Sequence, residues 1–365
     1  MTDLIKYGFT REFEQQITKE DTELELIPAR VTSIQKETYR IVSSKGENNG
    51  KLKGSIFYQD SRYITYPAVG DFVLIKPNPM GDDIIYRVLE RTTCFSRHNP
   101  TLPTKVSKES EQIVAANFDY VFIMASLNHD FNLRRLERYL AVAMVSGATP
   151  VIVLTKADLC PNYADYINDI NMTFPEIDVR AISAHTGFGM DKLEKYIVPR
   201  KTIVFLGSSG VGKSSLVNAL ANEDLMKVNI IREDDSKGLH TTTYRQLFLL
   251  KNDVIIIDTP GMRELGLWDV NEGIKESFSD IESLSKTCKF NDCKHEKEPG
   301  CAIQTALKSG LLTKERLNSY QKLLREARHS ARKAAFLKMK ANEAKNFSKN
   351  QKSTKRKEVY SAEDL

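Results

Sequence analysis

The chain has 365 residues, of which 41% are hydrophobic and 28% are charged. This length exceeds one typical domain and predicts two or three. No run approaches the roughly 18 apolar residues needed to cross a bilayer, and the first residues lack the basic and apolar pattern of a signal peptide. Five cysteines, an odd number, argue against a secreted disulfide framework. We therefore expect a cytoplasmic protein that makes no membrane contact.

The positive charge is concentrated near the C-terminus. The formal net charge is +5, but residues 313–358 contain 15 Lys or Arg and 4 Glu. That segment therefore carries +11, and the remainder of the chain carries −6. A basic appendage on a mildly acidic body predicts a polyanionic partner, and we expect RNA.

The N-terminal quarter of the chain predicts a small β-barrel. Residues 1–25 are polar and mixed in charge, which predicts a loosely attached extension. Residues 26–95 alternate short apolar segments with Gly-containing turns such as 44–50, which is typical of a five-stranded OB-fold. The predicted strands are Ala29–Ile34, Thr38–Val42, Gly54–Tyr58, Asp71–Ile75 and Ile84–Leu89.

Aromatic and basic side chains of such a barrel can bind nucleic acid by stacking and by phosphate contact. The alternative is that most of these side chains form the core or rim of the barrel. For any one residue, this second interpretation is the stronger of the two. These residues are Tyr39, Phe57, Tyr58, Arg62, Tyr63 and Tyr66.

The middle of the chain changes to an α/β pattern. Residues 96–115 predict a linker, because Asn99–Pro103 interrupts any regular element. From 116 to 272, apolar runs alternate with helical patterns such as Leu133–Ala143, which predicts a largely parallel sheet. The predicted strands are Asp119–Ala125, Val151–Leu154, Val179–Ile182, Thr202–Leu206 and Val254–Ile257.

A phosphate-binding loop follows the strand that ends at Leu206. The pattern is Gly-x-x-x-x-Gly-Lys-Ser, and its glycines let backbone N–H groups surround phosphates at a helix N-terminus. Lys213 suits the β- and γ-phosphates, and the Ser214 hydroxyl suits Mg²⁺. The full set is Gly207, Ser208, Ser209, Gly210, Val211, Gly212, Lys213, Ser214 and Ser215.

Two further motifs follow earlier strands and predict selection of guanine. Thr155-Lys156-Ala157-Asp158 ends in a carboxylate that can accept hydrogen bonds from guanine N1–H and the 2-amino group. The stem of Lys156 can cover the ring face. Ser183-Ala184 can offer a backbone N–H to guanine O6. Because adenine lacks that pair of donors, Asp158 favours GTP over ATP.

The segments after the phosphate loop are typical of nucleotide switches. Residues 238–243 form a polar stretch with three threonines, one of which can bind Mg²⁺. Asp258 and Gly261 belong to Asp-Thr-Pro-Gly, where the carboxylate can hold the metal through water and the Gly261 N–H can meet the γ-phosphate. Met262 follows, at a position where a Gln often orients water, so we expect slow intrinsic hydrolysis.

A compact cysteine and histidine cluster predicts a structural zinc site. Cys288, Cys293, His295 and Cys301 supply three thiolates and one imidazole within 14 residues. This donor set suits tetrahedral Zn²⁺ and leaves no position open for a substrate. We expect a helical zinc module over residues 273–335 and a basic tail over 336–365.

The order of these motifs resembles the ribosome small subunit-dependent GTPase A family. Base recognition precedes the phosphate loop and the switches, as in a circularly permuted P-loop GTPase, with a barrel before and a Cys/His cluster after. The resemblance implies a GTPase that binds the small ribosomal subunit and its rRNA late in maturation. It also implies Thr242 as the Mg²⁺-binding switch threonine and His240 as a candidate catalytic residue. Thr155 departs from the Asn usual at its position.

Two functions remain open from the sequence. The first is a Mg²⁺-dependent GTPase, monomeric and stimulated by its partner. The second is an RNA-binding assembly factor that uses GTP only as a conformational ligand. A P-loop kinase or ATPase is disfavoured by Asp158 and by the Asp-Thr-Pro-Gly motif.

Overall fold

A computed structural model of the chain describes residues 3–35, 38–54, 66–98, 111–128, 131–225, 245–258, 274, 277–290, 293–296, 298–328 and 332. Within this part, eleven strands form one sheet whose two halves have different architectures. One half closes into a barrel, and the other is an open, mostly parallel sheet. No helix among the described residues is both long and apolar enough to cross a membrane.

The N-terminal half confirms the predicted OB-like barrel. Strand β1 pairs with both β2 and β4, which closes the order β1-β2-β3-β5-β4, and β3 runs parallel to β5. Branched apolar side chains such as Val31, Ile41 and Ile85 fill the interior. The strands are β1 Ile27–Gln35, β2 Thr38–Ser43, β3 Gly46–Leu52, β4 Phe72–Lys76 and β5 Asp83–Val88.

The third barrel strand differs from the prediction. It lies at Gly46–Leu52, most of which the sequence predicts as a turn, whereas Ser55–Tyr58 of the predicted strand lies outside the described residues. Its Gly and Asn residues disfavour strands by propensity, and only Gly50 is buried. A Cβ on Gly50 would lie 3.1 Å from Ile85 Cδ1 on β5 and 3.2 Å from Ile41 Cδ1 on β2, so the two neighbours of this strand leave little room for a side chain there.

The candidate nucleic-acid residues of the barrel differ in their exposure, and four of them lie outside the described residues. Tyr39 is buried in the barrel core, as the core interpretation expected. Tyr66 is 53% exposed and remains available at the surface. Phe57, Tyr58, Arg62 and Tyr63 lie outside the described residues.

The N-terminal segment is not loosely attached, contrary to expectation. It forms a 3₁₀ turn, Leu4–Tyr7, and two short helices, α1 Arg11–Glu14 and α2 Lys19–Glu23. The Phe13 ring lies 4.4 Å from that of Phe72 on β4, centroid to centroid. The few apolar residues of this segment are spaced irregularly. The sequence therefore contains no periodic pattern that predicts their packing against the barrel.

The predicted linker carries a strand at each end. Cys94–His98 (β6) pairs antiparallel with Glu111–Ala116 (β7), and residues 99–110 between them lie outside the described part. Phe95 packs against Phe118 with ring centroids 4.7 Å apart. The segment predicted as a linker therefore contributes residues to a pair of antiparallel strands.

The open sheet has five parallel strands in the order β10-β9-β8-β11-β13, and β12 joins β13 antiparallel. The predicted strands are confirmed to within about two residues, and β12 is an addition. Among the described residues, helices follow β8, β9 and β11: α3 Leu133–Val145, α4 Tyr163–Thr173 and α5 Lys213–Ala221. The strands are β8 Tyr120–Ser126, β9 Thr149–Thr155, β10 Asp178–Ala181, β11 Thr202–Gly207, β12 Gln246–Leu249 and β13 Ile255–Asp258.

A buried arginine holds the barrel to the open sheet. Arg30 on β1 is 1% exposed and donates to the carbonyl oxygens of Gly70, Tyr7 and Asn117 and to Thr202 Oγ1. Burial lowers its pKa to about 10, which still leaves it charged at pH 7. Beside it, β1 pairs with β12 at Ser33 and Gln246, so the two halves share one sheet.

The C-terminal module packs against the α/β domain. It contains α6 Ser279–Ser285, α7 Ala302–Lys308 and a helical stretch over residues 314–328. Ile303 and Leu317 of this module share one hydrophobic cluster with Leu140 of α3 and with strand residues. The module is therefore part of the same core as the α/β domain.

Candidate nucleotide site and zinc centre

The nucleotide motifs meet at one edge of the open sheet. Strands β9, β10, β11 and β13 are parallel, and each is followed at its carboxyl end by one of the predicted motifs. The chain order reverses between β8 and β11, which are neighbours in the sheet. Such a switch point opens the crevice in which doubly wound sheets bind ligands. The phosphate loop begins there, after β11.

The conformation of the phosphate loop depends on its three glycines. A Cβ on Gly207 would lie 2.9 Å from the Met124 carbonyl oxygen, so the close approach of β8 requires glycine. Gly210 and Gly212 have φ of 74° and 100°, in the region that side chains disfavour. Gly212 directly precedes α5. The loop therefore turns its backbone toward the N-terminus of that helix, where anions are favoured.

The lysine and the serines of the loop lie at the start of α5. Lys213 Nζ donates to the carbonyl oxygens of Gly207 and Ser208, at 2.9 Å each, so the ammonium lies over the loop. Ser214 and Ser215 occupy the first turn of α5 and are half-buried. Ser208 is buried, and Ser209 is exposed.

The predicted guanine motif, Thr155–Asp158, is joined directly to the phosphate loop. Thr155 ends β9, is 5% exposed, and donates through Oγ1 to the Val211 carbonyl oxygen at 2.6 Å. Thr155 therefore links this motif to the phosphate loop, although it departs from the Asn expected at its position. Sequence spacing could not reveal this contact, because the two residues are 56 positions apart.

The rest of the guanine motif forms a tight turn at the sheet edge. Lys156 has φ 59° and precedes a 3₁₀ turn, Ala157–Leu159, that presents the exposed Asp158. The Ala157 N–H donates to the Ile182 carbonyl oxygen at 3.1 Å, which ties this turn to the segment after β10. An exposed carboxylate on a fixed turn can accept hydrogen bonds from a ligand.

The Ser183-Ala184 segment also forms a constrained turn. Ser183 is buried, its N–H donates to the Phe188 carbonyl oxygen at 2.9 Å, and its Oγ accepts from the Thr186 N–H at 3.2 Å. No backbone hydrogen bond of the Ala184 N–H occurs within the described part of the chain. Of the two N–H groups, that of Ala184 is therefore the better candidate for guanine O6.

Only one of the predicted switch residues falls in the described part. Asp258 ends β13 and is 6% exposed, at the same sheet edge as the phosphate loop. His240, Thr242, Gly261 and Met262 lie outside the described residues.

The four predicted zinc ligands come together in space. Their donor atoms all lie within 4.8 Å of one another. His295 Nδ1 is 3.6 Å from Cys288 Sγ and 3.5 Å from Cys301 Sγ, and these two sulfurs are 3.9 Å apart. A tetrahedral ion with Zn–S of about 2.3 Å and Zn–N of about 2.0 Å would set these separations at roughly 3.6 and 3.8 Å. The cluster therefore fits zinc.

Sequence reasoning missed the residues that support this cluster. Gln304 Nε2 donates to the His295 carbonyl oxygen at 2.6 Å, and Cys301 Sγ accepts from the Gln304 N–H at the start of α7. The Glu298 carboxylate accepts from the N–H groups of Lys294 and Glu296. Such contacts orient metal ligands. The only sequence signal for them was their position, because these polar residues lie between the ligands or just after Cys301.

Comparison with known proteins agrees with this arrangement. Residues 88–268 match the family described as RsgA GTPase. The chain is 47% identical over 331 residues to the small ribosomal subunit biogenesis GTPase RsgA 1 of Listeria innocua, covering 90% of this chain and 91% of that protein. It is similar to solved YjeQ from Thermotoga maritima, with a TM-score of 0.61 and 26% identity over 83% of this chain and 98% of that one. It is also similar to YloQ, described as a circularly permuted GTPase, with a TM-score of 0.57 and 25% identity over 84% and 96%. The chain therefore belongs to the RsgA family of circularly permuted GTPases.

Proposed function

We propose that this GTPase hydrolyses GTP to GDP and phosphate while it is bound to the maturing small ribosomal subunit, whose rRNA it contacts. The observation that carries the proposal is the meeting of the guanine motif, the phosphate loop and Asp258 at one sheet edge, with the first two joined by the Thr155–Val211 hydrogen bond. Relatives named for small-subunit biogenesis supply the partner.

Each side of the nucleotide has its own residues in this proposal. The Asp158 carboxylate and the Ala184 N–H recognise guanine, while the Lys156 stem covers the ring. The loop N–H groups from Ser209 to Ser215 and the Lys213 ammonium bind the phosphates. Charged phosphate oxygens are stabilised there by the N-terminus of α5.

Mg²⁺ fits the remaining oxygen donors of the site. Ser214 and Thr242 would hold it directly and Asp258 through water, since Mg²⁺ prefers oxygen ligands and keeps part of its water shell. When bound, it neutralises charge between the β- and γ-phosphates. The Gly261 N–H would bind the γ-phosphate.

Hydrolysis depends on a group that orients the attacking water. Met262 has no side-chain atom suited to this, so His240 is the candidate, and it acts when the ribosomal partner brings it to the nucleotide. Turnover is therefore slow in the free protein and faster on the subunit. The zinc cluster is structural, and the protein acts as a cytoplasmic monomer.

The proposal is tested by measuring GTP turnover with and without purified small subunits, with ATP as competitor. We expect subunits to raise turnover, ATP not to compete, and His240→Ala to lose the stimulated rate while retaining GTP affinity. If subunits bind in a GTP-dependent manner but never raise turnover, the protein is an assembly factor that uses GTP only as a conformational ligand. The one observation that favours this second function is Met262, because it stands where a Gln often orients the attacking water.

A further inference from the structure

An aromatic contact joins the two turns that the proposed function assigns to guanine recognition. Phe188 closes the turn that begins at Ser183, and Tyr163 begins α4, shortly after the turn that carries Asp158. The two ring centroids are 5.4 Å apart and the ring planes lie at 66°, which is an edge-to-face arrangement. The rings therefore bridge the segments that follow β10 and β9.

Backbone hydrogen bonds fix each ring to its own turn. The Phe188 carbonyl oxygen accepts from the Ser183 N–H at 2.9 Å, which ties this ring to the Ser183-Ala184 segment. On the other side, the Tyr163 N–H donates to the Cys160 carbonyl oxygen at 3.2 Å, next to the 3₁₀ turn of the guanine motif. A movement of either ring would therefore move one of the two groups assigned to the base.

The chain that follows Phe188 is also constrained. Gly189 has φ of 68°, and a Cβ there would overlap the Ala181 carbonyl oxygen at the end of β10. The next 3₁₀ turn, Met190–Leu193, places Lys192 Nζ 5.6 Å from the centroid of the Phe188 ring. The position of this ring is therefore set by the segments before and after it.

Core packing does not account for this pair of rings. Phe188 is 38% exposed and joins none of the hydrophobic clusters formed by the described residues, whereas Tyr163 borders the main cluster. Substitution of an exposed side chain changes the free energy of unfolding little. The relative position of the two turns matters more for selectivity, because Asp158 and the Ala184 N–H must reach the same guanine ring together.

We propose that Phe188 is a positioning residue for guanine selectivity. Through Tyr163, it holds the Ala184 N–H and the Asp158 carboxylate at the separation at which both reach one guanine ring. The inference rests on the proposed function, in which these two groups bind the base. The phosphate loop lies outside the contact, so binding through the phosphates does not depend on it.

The test measures the affinities of the full-length protein for GDP and ADP by competition against a fluorescent guanine nucleotide. ADP carries the same phosphates but has an amino group in place of O6, so it reports binding through the phosphate loop. We expect Phe188→Ala to weaken GDP by about two- to tenfold, the range of an aromatic contact, and to leave ADP unchanged. Phe188→Tyr keeps the ring and should retain GDP affinity. Met172→Ala, at a 77% exposed position of α4, is the matched control and should change neither affinity.

A double-mutant cycle tests the contact itself. Tyr163→Ala should lower the ratio of GDP affinity to ADP affinity to a similar extent, and adding Phe188→Ala should cause little further loss. An unchanged thermal midpoint establishes that Phe188→Ala is folded. If that midpoint falls, Phe188→Leu, which keeps apolar bulk without a ring, takes its place.

The proposal fails if Phe188→Ala leaves GDP affinity unchanged or weakens GDP and ADP equally. It also fails if the losses caused by Phe188→Ala and Tyr163→Ala add, because the two rings would then act separately. Equal GDP and ADP affinities in the wild-type protein would instead overturn the proposed guanine site, and with it this role of Phe188.

Discussion

Thr155 Oγ1 donates a 2.6 Å hydrogen bond to the Val211 carbonyl oxygen, so the first residue of the guanine motif holds the phosphate loop. The two parts of the nucleotide site therefore share one buried polar contact. Loss of the donor would leave a buried carbonyl unpaired and would loosen both parts together.

Thr155→Val removes this donor while keeping the shape of the side chain. An unpaired buried carbonyl costs about 1–3 kcal/mol, so we expect GDP and GTP affinity to fall by about tenfold or more. Thr155→Ser keeps the hydroxyl and serves as the control. Fluorescent-nucleotide titration measures both, and equal affinities for the two variants would contradict the role of the contact.

Asp158→Asn should change which base is bound. The carboxylate accepts two charge-assisted hydrogen bonds from guanine, and their loss should weaken GTP on the order of 100-fold or more. Xanthine carries an oxygen in place of the 2-amino group, and an amide can donate to it. Competition between GTP and xanthosine triphosphate measures the change. If the variant kept its preference for GTP, Asp158 would not contact the base.

Arg30→Met should destabilise the protein more than any exposed arginine change. The substitution leaves the buried carbonyl oxygens of Gly70 and Asn117 without this donor, at a cost of about 3 kcal/mol or more in unfolding free energy. Arg40→Met is the control, because Arg40 and Glu47 form an exposed pair. Urea unfolding compares the two variants. Equal losses of unfolding free energy would show that Arg30 does not hold the barrel to the open sheet.

Cys301→Ser should release zinc and open the C-terminal module. Because Ile303 shares a hydrophobic cluster with Leu140 of α3, we expect faster amide exchange in α3 as well as in α7. The phosphate loop should keep its protection and its nucleotide affinity. Cys94→Ser, outside the cluster, is the control. Exchange confined to α7 would show that the module unfolds independently of α3.

The sequence by itself determined the strands and motifs of the nucleotide site. Buried parallel strands such as β9 and β11 read as continuous apolar runs, and Gly, Lys and Asp at fixed spacing follow them. Motif order also identified the permutation, since order along the chain is a property of sequence alone. The zinc ligands lie within 14 residues, so their proximity was local as well.

Only the tertiary structure decided the features that depend on residues far away along the chain. Strand β3 has poor strand propensity and forms because β2 and β5 pair with it. Arg30 binds acceptors up to 172 positions away, and Thr155 bonds a loop 56 positions away. Neither contact leaves a periodic pattern, because a single polar side chain can satisfy any carbonyl that folding brings near. Local patterns thus specify elements and ligand chemistry, while packing decides which elements join and which polar groups hold them.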